Sequence, residues 1–136
     1  MRETLHIKNE MGQLARLYAF VDRWADACRL DESLSMQIKL ALEEAVTNVI
    51  LYAYPETAGQ DIRIDMSHER GWVKITVTDG GIAFDPLARK DPDLTLPAEE
   101  RPVGGLGIYL VKQLMTTVEY KRSDGKNILI MTKEIH

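Results

Sequence analysis

Apolar residues recur every three or four positions over two stretches in the first half of the chain. In the first stretch they are Leu14, Leu17, Tyr18, Val21, Trp24, Ala25 and Cys28. This spacing predicts an amphipathic helix over residues 10–30. A second helix is predicted from an N-cap at Asp31 or Ser33 to about Tyr54, because Pro55 cannot continue a helix.

The period changes to two in the remaining segments. Apolar and polar residues alternate at 62–67 and again at 72–79, which predicts a β-hairpin. Looser alternation at 3–8 predicts a short edge strand. Two further strands are predicted at 117–121 and 127–134, on either side of a Ser-Asp-Gly turn.

Residues 80–103 have little periodicity of either kind. They contain four of the five prolines of the chain among mixed charges, and such a composition is typical of a long loop. Long loops inside compact domains are commonly lids or binding loops. A glycine-rich turn then leads into a short helix, predicted at 106–115.

The predicted order of elements is β-α-α-β-β-loop-α-β-β. Strands joined by tight turns pair antiparallel, so we expect an α/β (α+β) two-layer sandwich, in which the helices pack on one face of a mainly antiparallel, mixed sheet. A length of 136 residues suits a single domain over 1–136. Trp24 and Trp72 both lie in apolar patterns and are expected in the core.

Composition and charge narrow the class of function. The chain has 17 Lys and Arg against 21 Asp and Glu, a net charge of −4, whereas nucleic-acid binding usually requires a basic excess. No apolar run is long enough to span a membrane, and the first residues lack a signal-type stretch. The single Cys28 and three scattered histidines offer neither a disulfide nor metal-ligand spacing. We therefore expect a cytoplasmic protein that binds neither nucleic acid nor membrane.

Two segments contain candidate polar chemistry next to apolar surfaces. In the second helix, Glu44 and Asn48 are four residues apart and share a face beside the apolar stripe, whereas Glu43 points away from that stripe. Asp79 ends a strand and precedes a Gly-Gly turn, where positive φ would let the backbone approach a ligand closely. Taken alone, the Glu44 and Asn48 pair is also typical of a solvated helix surface. The segment after Asp79 is also typical of an ordinary Asp-Gly turn.

A third candidate is the glycine cluster Gly104, Gly105 and Gly107 at the start of the last helix. Free N–H groups and the helix dipole favour phosphate oxygens at such a position, although a flexible hinge has the same composition. The Gly-x-x-x-x-Gly-Lys-Ser/Thr motif does not occur, and Leu110 stands where a dinucleotide fingerprint needs a small residue. The His-Arg-Asp and Asp-Phe-Gly elements of common protein kinases are also absent from the sequence.

Taken in order, the three segments resemble the N, G1 and G2 boxes of the histidine-kinase-like (GHKL) ATPase superfamily. The matching residues are Glu44-x-x-x-Asn48, Asp79-x-Gly81-x-x-Phe84-Asp85-Pro86 and Gly105-x-Gly107. Within the superfamily, nearly the whole chain is similar to the anti-sigma regulatory factors that act as serine protein kinases. The resemblance implies the Bergerat ATP-binding fold, with residues 87–103 as the ATP lid.

The resemblance also implies a role for each matching residue. Glu44 would orient or deprotonate the attacking hydroxyl group, and Asn48 would coordinate the Mg²⁺ ion that bridges the phosphates of ATP. Asp79 would bind the amino group of adenine. The other implied nucleotide contacts are Gly81, Phe84, Gly104, Gly105, Leu106 and Gly107, with Arg101 as a candidate for the terminal phosphate.

The chain departs from the family pattern in two places. Val103 and Gly104 stand where some members carry an arginine just before the last glycine box, so Arg101 lies further back. Asn127 follows Gly125 and Lys126 where many members open the final strand with Gly-Thr near the adenine. Both departures weaken the case for phosphotransfer more than the case for nucleotide binding.

Three functions follow from these expectations. The leading one is a serine protein kinase that transfers the γ-phosphate of ATP to an anti-sigma-factor antagonist and also sequesters a sigma factor. The first alternative is a non-catalytic ATP-binding switch that holds a regulatory partner. The second is a detached ATP-binding domain of a two-component histidine kinase, although neither long helix contains a phosphoacceptor His. The predicted edge strand, together with the resemblance, also favours a homodimer.

Overall fold

The computed structural model describes residues 2–54, 59–88 and 106–135, which form one sheet covered by helices on one face. The strands are β1 Arg2–Lys8, β2 Asp61–Glu69, β3 Trp72–Asp79, β4 Thr117–Ser123 and β5 Lys126–Glu134. They are arranged in the order β1-β2-β3-β5-β4, and every neighbouring pair is antiparallel. The predicted two-layer sandwich with a mainly antiparallel sheet is therefore confirmed. The described sheet has no parallel pair, so the expectation that the sheet is mixed was wrong.

Three α-helices among the described residues form the second layer: α1 Leu14–Ala27, α2 Glu32–Asn48 and α3 Leu106–Leu114. A 3₁₀ turn at Met11–Gln13 precedes α1, so the first helix is shorter than its apolar pattern predicts. The predicted N-cap of α2 is confirmed, since the Asp31 side chain accepts a hydrogen bond from the Leu34 N–H at 2.7 Å. After α2, residues Val49–Ala53 form a π-helical turn, which the sequence pattern did not predict.

The core lies between the helices and one face of the sheet. Trp24 is fully buried, as expected, together with alternate residues of β2 and β3 such as Ile64 and Ile75. Trp72 remains 41% exposed, so its assignment to the core was wrong. The alternation of β3 turns Val73 inward and therefore turns Trp72 to the opposite face of the sheet.

The ends of three elements meet at one edge of the helical layer. Asp79 ends β3 and is paired with Asn127 at the start of β5, while Asn48 ends α2. None of the helices that the structure describes is both long and apolar enough to cross a membrane.

Candidate functional site

A cleft lies between the C-terminal part of α2 and the ends of β3 and β5. Its polar lining comes from Asn48, Asp79, Asn127 and Tyr120. Phe84 contributes an aromatic wall, and its ring stacks on that of Tyr52 with 5.1 Å between the ring centroids. The structure thus brings together Asn48, Asp79 and Phe84, which the sequence singled out from two separate segments.

Glu44 lies one helical turn before Asn48 but does not line this cleft. It packs against α3, where a methyl group added to Gly107 would lie 2.3 Å from Glu44 Oε2. Neither the Glu44 carboxylate nor the Asn48 amide has a hydrogen-bond partner among residues 2–54, 59–88 and 106–135. Burial, reinforced by the charge of Glu43, raises the pKa of Glu44 above its ordinary value.

Glu43 faces away from the cleft. Its Oε1 atom accepts a hydrogen bond from the hydroxyl group of Tyr18 in α1, at 2.7 Å. This contact joins the first two helices, and it leaves Glu44 as the carboxylate of the pair that is turned toward α3.

Asp79 is buried at the base of the cleft, with only 3% of its surface exposed. Its Oδ1 atom accepts hydrogen bonds from the Gly81 N–H and from Asn127 Nδ2, both at 2.9 Å. Its Oδ2 atom accepts none from the described part of the chain and is available to a ligand. Burial raises the pKa of Asp79, although the two hydrogen bonds and the charge of Arg122 partly oppose this effect.

Asn127 holds Asp79 and the following turn in place. Its Nδ2 atom donates to Asp79 and, at 2.8 Å, to the carbonyl oxygen of Ile82. Its Oδ1 atom accepts from the Phe84 N–H at 3.2 Å and from the Tyr120 hydroxyl at 2.5 Å. The amide nitrogen and oxygen of this buried side chain therefore both have partners within the protein, so Asn127 supports Asp79 from the wall of the cleft.

Sequence reasoning treated Asn127 only as a departure from a family pattern, and it missed the support that this residue provides. One signal could have revealed that support. The alternation of β5 places Asn127 on the same inward face as Leu129 and Met131, and a polar residue in a buried row requires polar partners. Arg122 was missed as well: its Nη1 atom donates to the Gly81 carbonyl oxygen at 2.9 Å.

The Gly-Gly turn after Asp79 differs from its prediction. Neither Gly80 nor Gly81 adopts a positive φ, so the expected left-handed conformation was wrong. A glycine is needed at position 81 for another reason, since a Cβ atom there would lie 2.3 Å from the carbonyl oxygen of Ala53. The close approach is therefore to the backbone of the π-helical turn, directly behind the cleft.

Several predicted site residues lie outside the described residues. They are Arg101, Gly104 and Gly105, together with most of the expected lid at 87–103. Leu87 and Ala88 are described and belong to a 3₁₀ turn, Pro86–Ala88. Leu106 is the first residue of α3, and its backbone alone is described.

The donor set suits a metal ion that arrives with a nucleotide. The described residues contain no group of three or more His, Cys, Asp or Glu that could hold a metal ion by themselves. Asn48, however, lines the cleft with an amide that has no hydrogen-bond partner in the part of the chain that the structure describes. Mg²⁺ commonly takes one or two protein oxygens and completes its shell with phosphates and water, so the residues fit a Mg²⁺–nucleotide complex.

Comparisons with known proteins identify relatives of this chain. Two proteins named "Serine-protein kinase RsbW", from Bacillus thuringiensis (strain Al Hakam) and Bacillus cereus (strain 03BB102), are each 37% identical to the chain over 102 residues. The match covers 72% of this chain, which spans only 62% of the length of each of these relatives.

A solved structure of the RsbU and RsbW domains of a Mycobacterium tuberculosis protein aligns with a TM-score of 0.67 at 17% identity, over 97% of this chain and 32% of that one. This likeness shows a shared fold. The profile of the histidine kinase-like ATPase domain matches residues 7–133, almost the whole chain. The chain therefore belongs to the histidine kinase-like ATPase domain family.

Proposed function

We propose that the protein is an ATP-dependent serine kinase that phosphorylates a partner of the anti-sigma-factor-antagonist type. One observation carries the proposal: Glu44 and Asn48 present two polar side chains one turn apart, neither with a hydrogen-bond partner among the described residues, beside a cleft with the buried carboxylate of Asp79 at its base. The relatives named serine-protein kinases support the choice of serine as the acceptor. A sigma factor as a second partner follows from the same resemblance.

In this proposal, the adenine base would enter the cleft, and its amino group would donate a hydrogen bond to Asp79 Oδ2. Phe84 and the apolar lining cover the base. The Asn48 amide oxygen would hold the Mg²⁺ ion that accompanies the nucleotide, and this ion would supply neutralisation of the phosphate charge. Gly81 takes part indirectly, because its packing against Ala53 sets the position of the turn below the base.

Glu44 would act on the attacking group. The serine hydroxyl oxygen forms a bond to the γ-phosphorus, the bond from that phosphorus to the bridging oxygen breaks, ADP leaves, and the hydroxyl proton passes to the Glu44 carboxylate. A half-buried carboxylate with a raised pKa suits this step, because a base works best when its pKa approaches the working pH.

The remaining assignments also belong to the proposal. Gly104, Gly105, Leu106 and Gly107 would hold the phosphate end, with Arg101 near the terminal phosphate and residues 87–103 as the lid. A single domain over 1–136, a cytoplasmic location and a homodimer remain predictions from the sequence.

A phosphotransfer assay tests the proposal. The protein is incubated with Mg²⁺, with ATP labelled at the γ-phosphate, and with each small candidate partner encoded nearby. We expect label on a serine of one partner, lost when that serine is changed to alanine and reduced in Glu44→Gln. Nucleotide-dependent, stoichiometric binding without label would identify the non-catalytic switch instead, and label on a histidine would indicate histidine kinase chemistry.

A further inference from the structure

The chain leaves α2 through a π-helical turn and then contacts the turn that follows Asp79. Asn48 is the last residue of α2, and Val49–Ala53 form the π-helical turn. A π-helical turn closes i→i+5 hydrogen bonds and so contains one residue more than an α-helical turn, and such turns are frequent at functional sites. The extra residue changes the direction in which the next side chains and carbonyl groups point.

Ala53, the last residue of the π-helical turn, and Tyr54, the residue after it, hold the backbone next to Asp79. The Ala53 carbonyl oxygen accepts a hydrogen bond from the Ile82 N–H at 2.9 Å. The Tyr54 hydroxyl accepts one from the Gly80 N–H at 2.6 Å. Since Gly80 directly follows Asp79, the second bond restrains the peptide group between the two residues, next to the Cα atom from which the Asp79 side chain extends.

A third contact comes from the same segment. The ring of Tyr52, inside the π-helical turn, stacks on Phe84 with an angle of 23° between the ring planes. Three successive residues, Tyr52, Ala53 and Tyr54, therefore hold both ends and the middle of the turn 80–84. One short segment thus connects Asn48, at the expected phosphate end, to Asp79, at the expected base end.

Tyr54 does not line the cleft. Its hydroxyl accepts from Gly80 and also donates to the carbonyl oxygen of Asp61, at a longer 3.4 Å. The hydroxyl is therefore occupied by the protein backbone, and any effect of Tyr54 on a nucleotide passes through the residues that it holds.

We propose that Tyr54 is a positioning residue for adenine recognition, whose hydroxyl, placed by the π-helical turn, holds Gly80 so that Asp79 presents Oδ2 to the amino group of the base. This inference rests on the proposed binding of ATP at Asp79. It adds the residue that sets base selectivity without touching the base.

The experiment compares the binding of ATP with that of inosine triphosphate, which carries an oxygen in place of the adenine amino group. In the wild-type protein we expect ATP to bind at least about tenfold more tightly, because a site built around a hydrogen bond to an amino group disfavours a ligand that lacks it. In Tyr54→Phe, the preference for ATP should fall by roughly 3- to 10-fold, the effect of one hydrogen bond. At saturating ATP, kcat should stay within about twofold, since Glu44 and Asn48 are unchanged.

Tyr18→Phe is the matched control. It removes a tyrosine hydroxyl from a hydrogen bond of similar length, 2.7 Å to Glu43, away from the turn that holds Asp79. Its preference for ATP over inosine triphosphate should equal that of the wild type. Thermal melting of both variants, and the chemical shift and exchange rate of the Gly80 amide proton, would show that Tyr54→Phe is folded and has lost the intended bond.

The outcomes separate the two proposals. If the wild type prefers ATP and Tyr54→Phe retains the full preference, the role of Tyr54 is overturned while ATP recognition stands. If the wild type shows no preference for ATP, recognition by Asp79 fails, and the role of Tyr54 fails with it. A loss of preference in Tyr54→Phe but not in Tyr18→Phe supports both.

Discussion

Glu44 combines three properties at one residue: it is half-buried, it lacks a hydrogen-bond partner among the described residues, and it has a raised pKa. A carboxylate that only stabilised the fold would be paired or exposed, because an unpaired, partly buried charge is unfavourable. These properties support the proposed role of Glu44 as a proton acceptor.

Glu44→Gln keeps the shape of the side chain and removes its basicity. We expect the phosphotransfer rate to fall by about 10²- to 10⁴-fold, the usual contribution of a general base, while ATP affinity changes little. The wild-type rate should also rise with pH through the raised pKa of Glu44, because only the deprotonated form accepts a proton. Single-turnover rates across pH, with ATP binding measured separately, test both points; an unchanged rate in Glu44→Gln would remove the assigned role.

Asp79→Asn separates the two oxygens of the buried carboxylate. The asparagine Oδ1 atom can still accept from Gly81 and Asn127, but an NH₂ group replaces Oδ2 and cannot accept from the amino group of adenine. Hydrogen bonds to charged groups contribute about 1.5–3 kcal/mol, so ATP affinity should fall by roughly 10- to 150-fold. Titration calorimetry measures this loss, and unchanged affinity would place the base elsewhere.

The same variant has a pH-dependent effect on stability. The raised pKa of Asp79 means that the folded state holds this proton more tightly than the unfolded state does. The free energy of unfolding therefore falls as pH rises above the ordinary pKa of an aspartate. The decrease reaches its full size above the raised pKa of Asp79 in the folded state. Asp79→Asn removes this destabilisation. In urea unfolding, the variant should therefore have a higher free energy of unfolding than the wild type at neutral pH, and the difference should disappear near about pH 3. A difference of equal size at both pH values would contradict the assignment of this effect to Asp79.

At the scale of elements, α3 and α2 meet at a residue without a side chain. A methyl group at position 107 would lie 2.3 Å from Glu44 Oε2, so Gly107→Ala must displace either the carboxylate or the first turn of α3. A misplacement of about 1 Å can lower a rate by about 100-fold, so we expect kcat to fall by one to two orders of magnitude, with a smaller loss of ATP affinity. Gly12→Ala is the control, because nothing lies within 4 Å of the added methyl group there. Equal kcat values for the two variants would contradict the role of this contact.

Periodicity predicted the elements that have a clear inside and outside. The structure confirms three such predictions, which all depend on local physics. They are the N-cap at Asp31, the helix that contains Leu17, Val21 and Trp24, and the alternating hairpin. Trp72 was misplaced because its residue type was given more weight than the register of β3, which turns Val73 inward. A residue-type preference is weaker than the period of a strand whose inward face is buried.

Only residues that line the cleft could be predicted from the sequence, and the residues that hold them in place could not. Motif spacing pointed to Asn48, Asp79 and Phe84, and the structure places all three around one cleft. The supporting residues Asn127 and Tyr54 act through tertiary hydrogen bonds across 48 and 26 positions of the chain, and no local pattern encodes such partners. The π-helical turn was missed for a related reason, since its sequence differs little from that of an ordinary helix end.

At the scale of the whole molecule, the cleft lies between the helical layer and the sheet. A nucleotide in it would contact α2 through Asn48 and the strand ends through Asp79, and would therefore tie the two layers together. Because a ligand stabilises the state that binds it, Mg²⁺–ATP at about 100 times its Kd should add about 2.7 kcal/mol to the free energy of unfolding. In a domain of this size, each kcal/mol raises Tm by about 2–8 °C.

Thermal melting with Mg²⁺–ATP, with ATP and a chelator, and with Mg²⁺ alone tests this coupling. We expect the largest rise in Tm with Mg²⁺–ATP and a smaller one with ATP and chelator, because Asn48 then loses the metal ion through which it holds the phosphates. Mg²⁺ alone should have little effect, since the described residues offer no group of three or more His, Cys, Asp or Glu to hold it. Asp79→Asn at the same nucleotide concentration should show a much reduced rise, and a rise equal to that of the wild type would mean that the nucleotide binds outside this cleft.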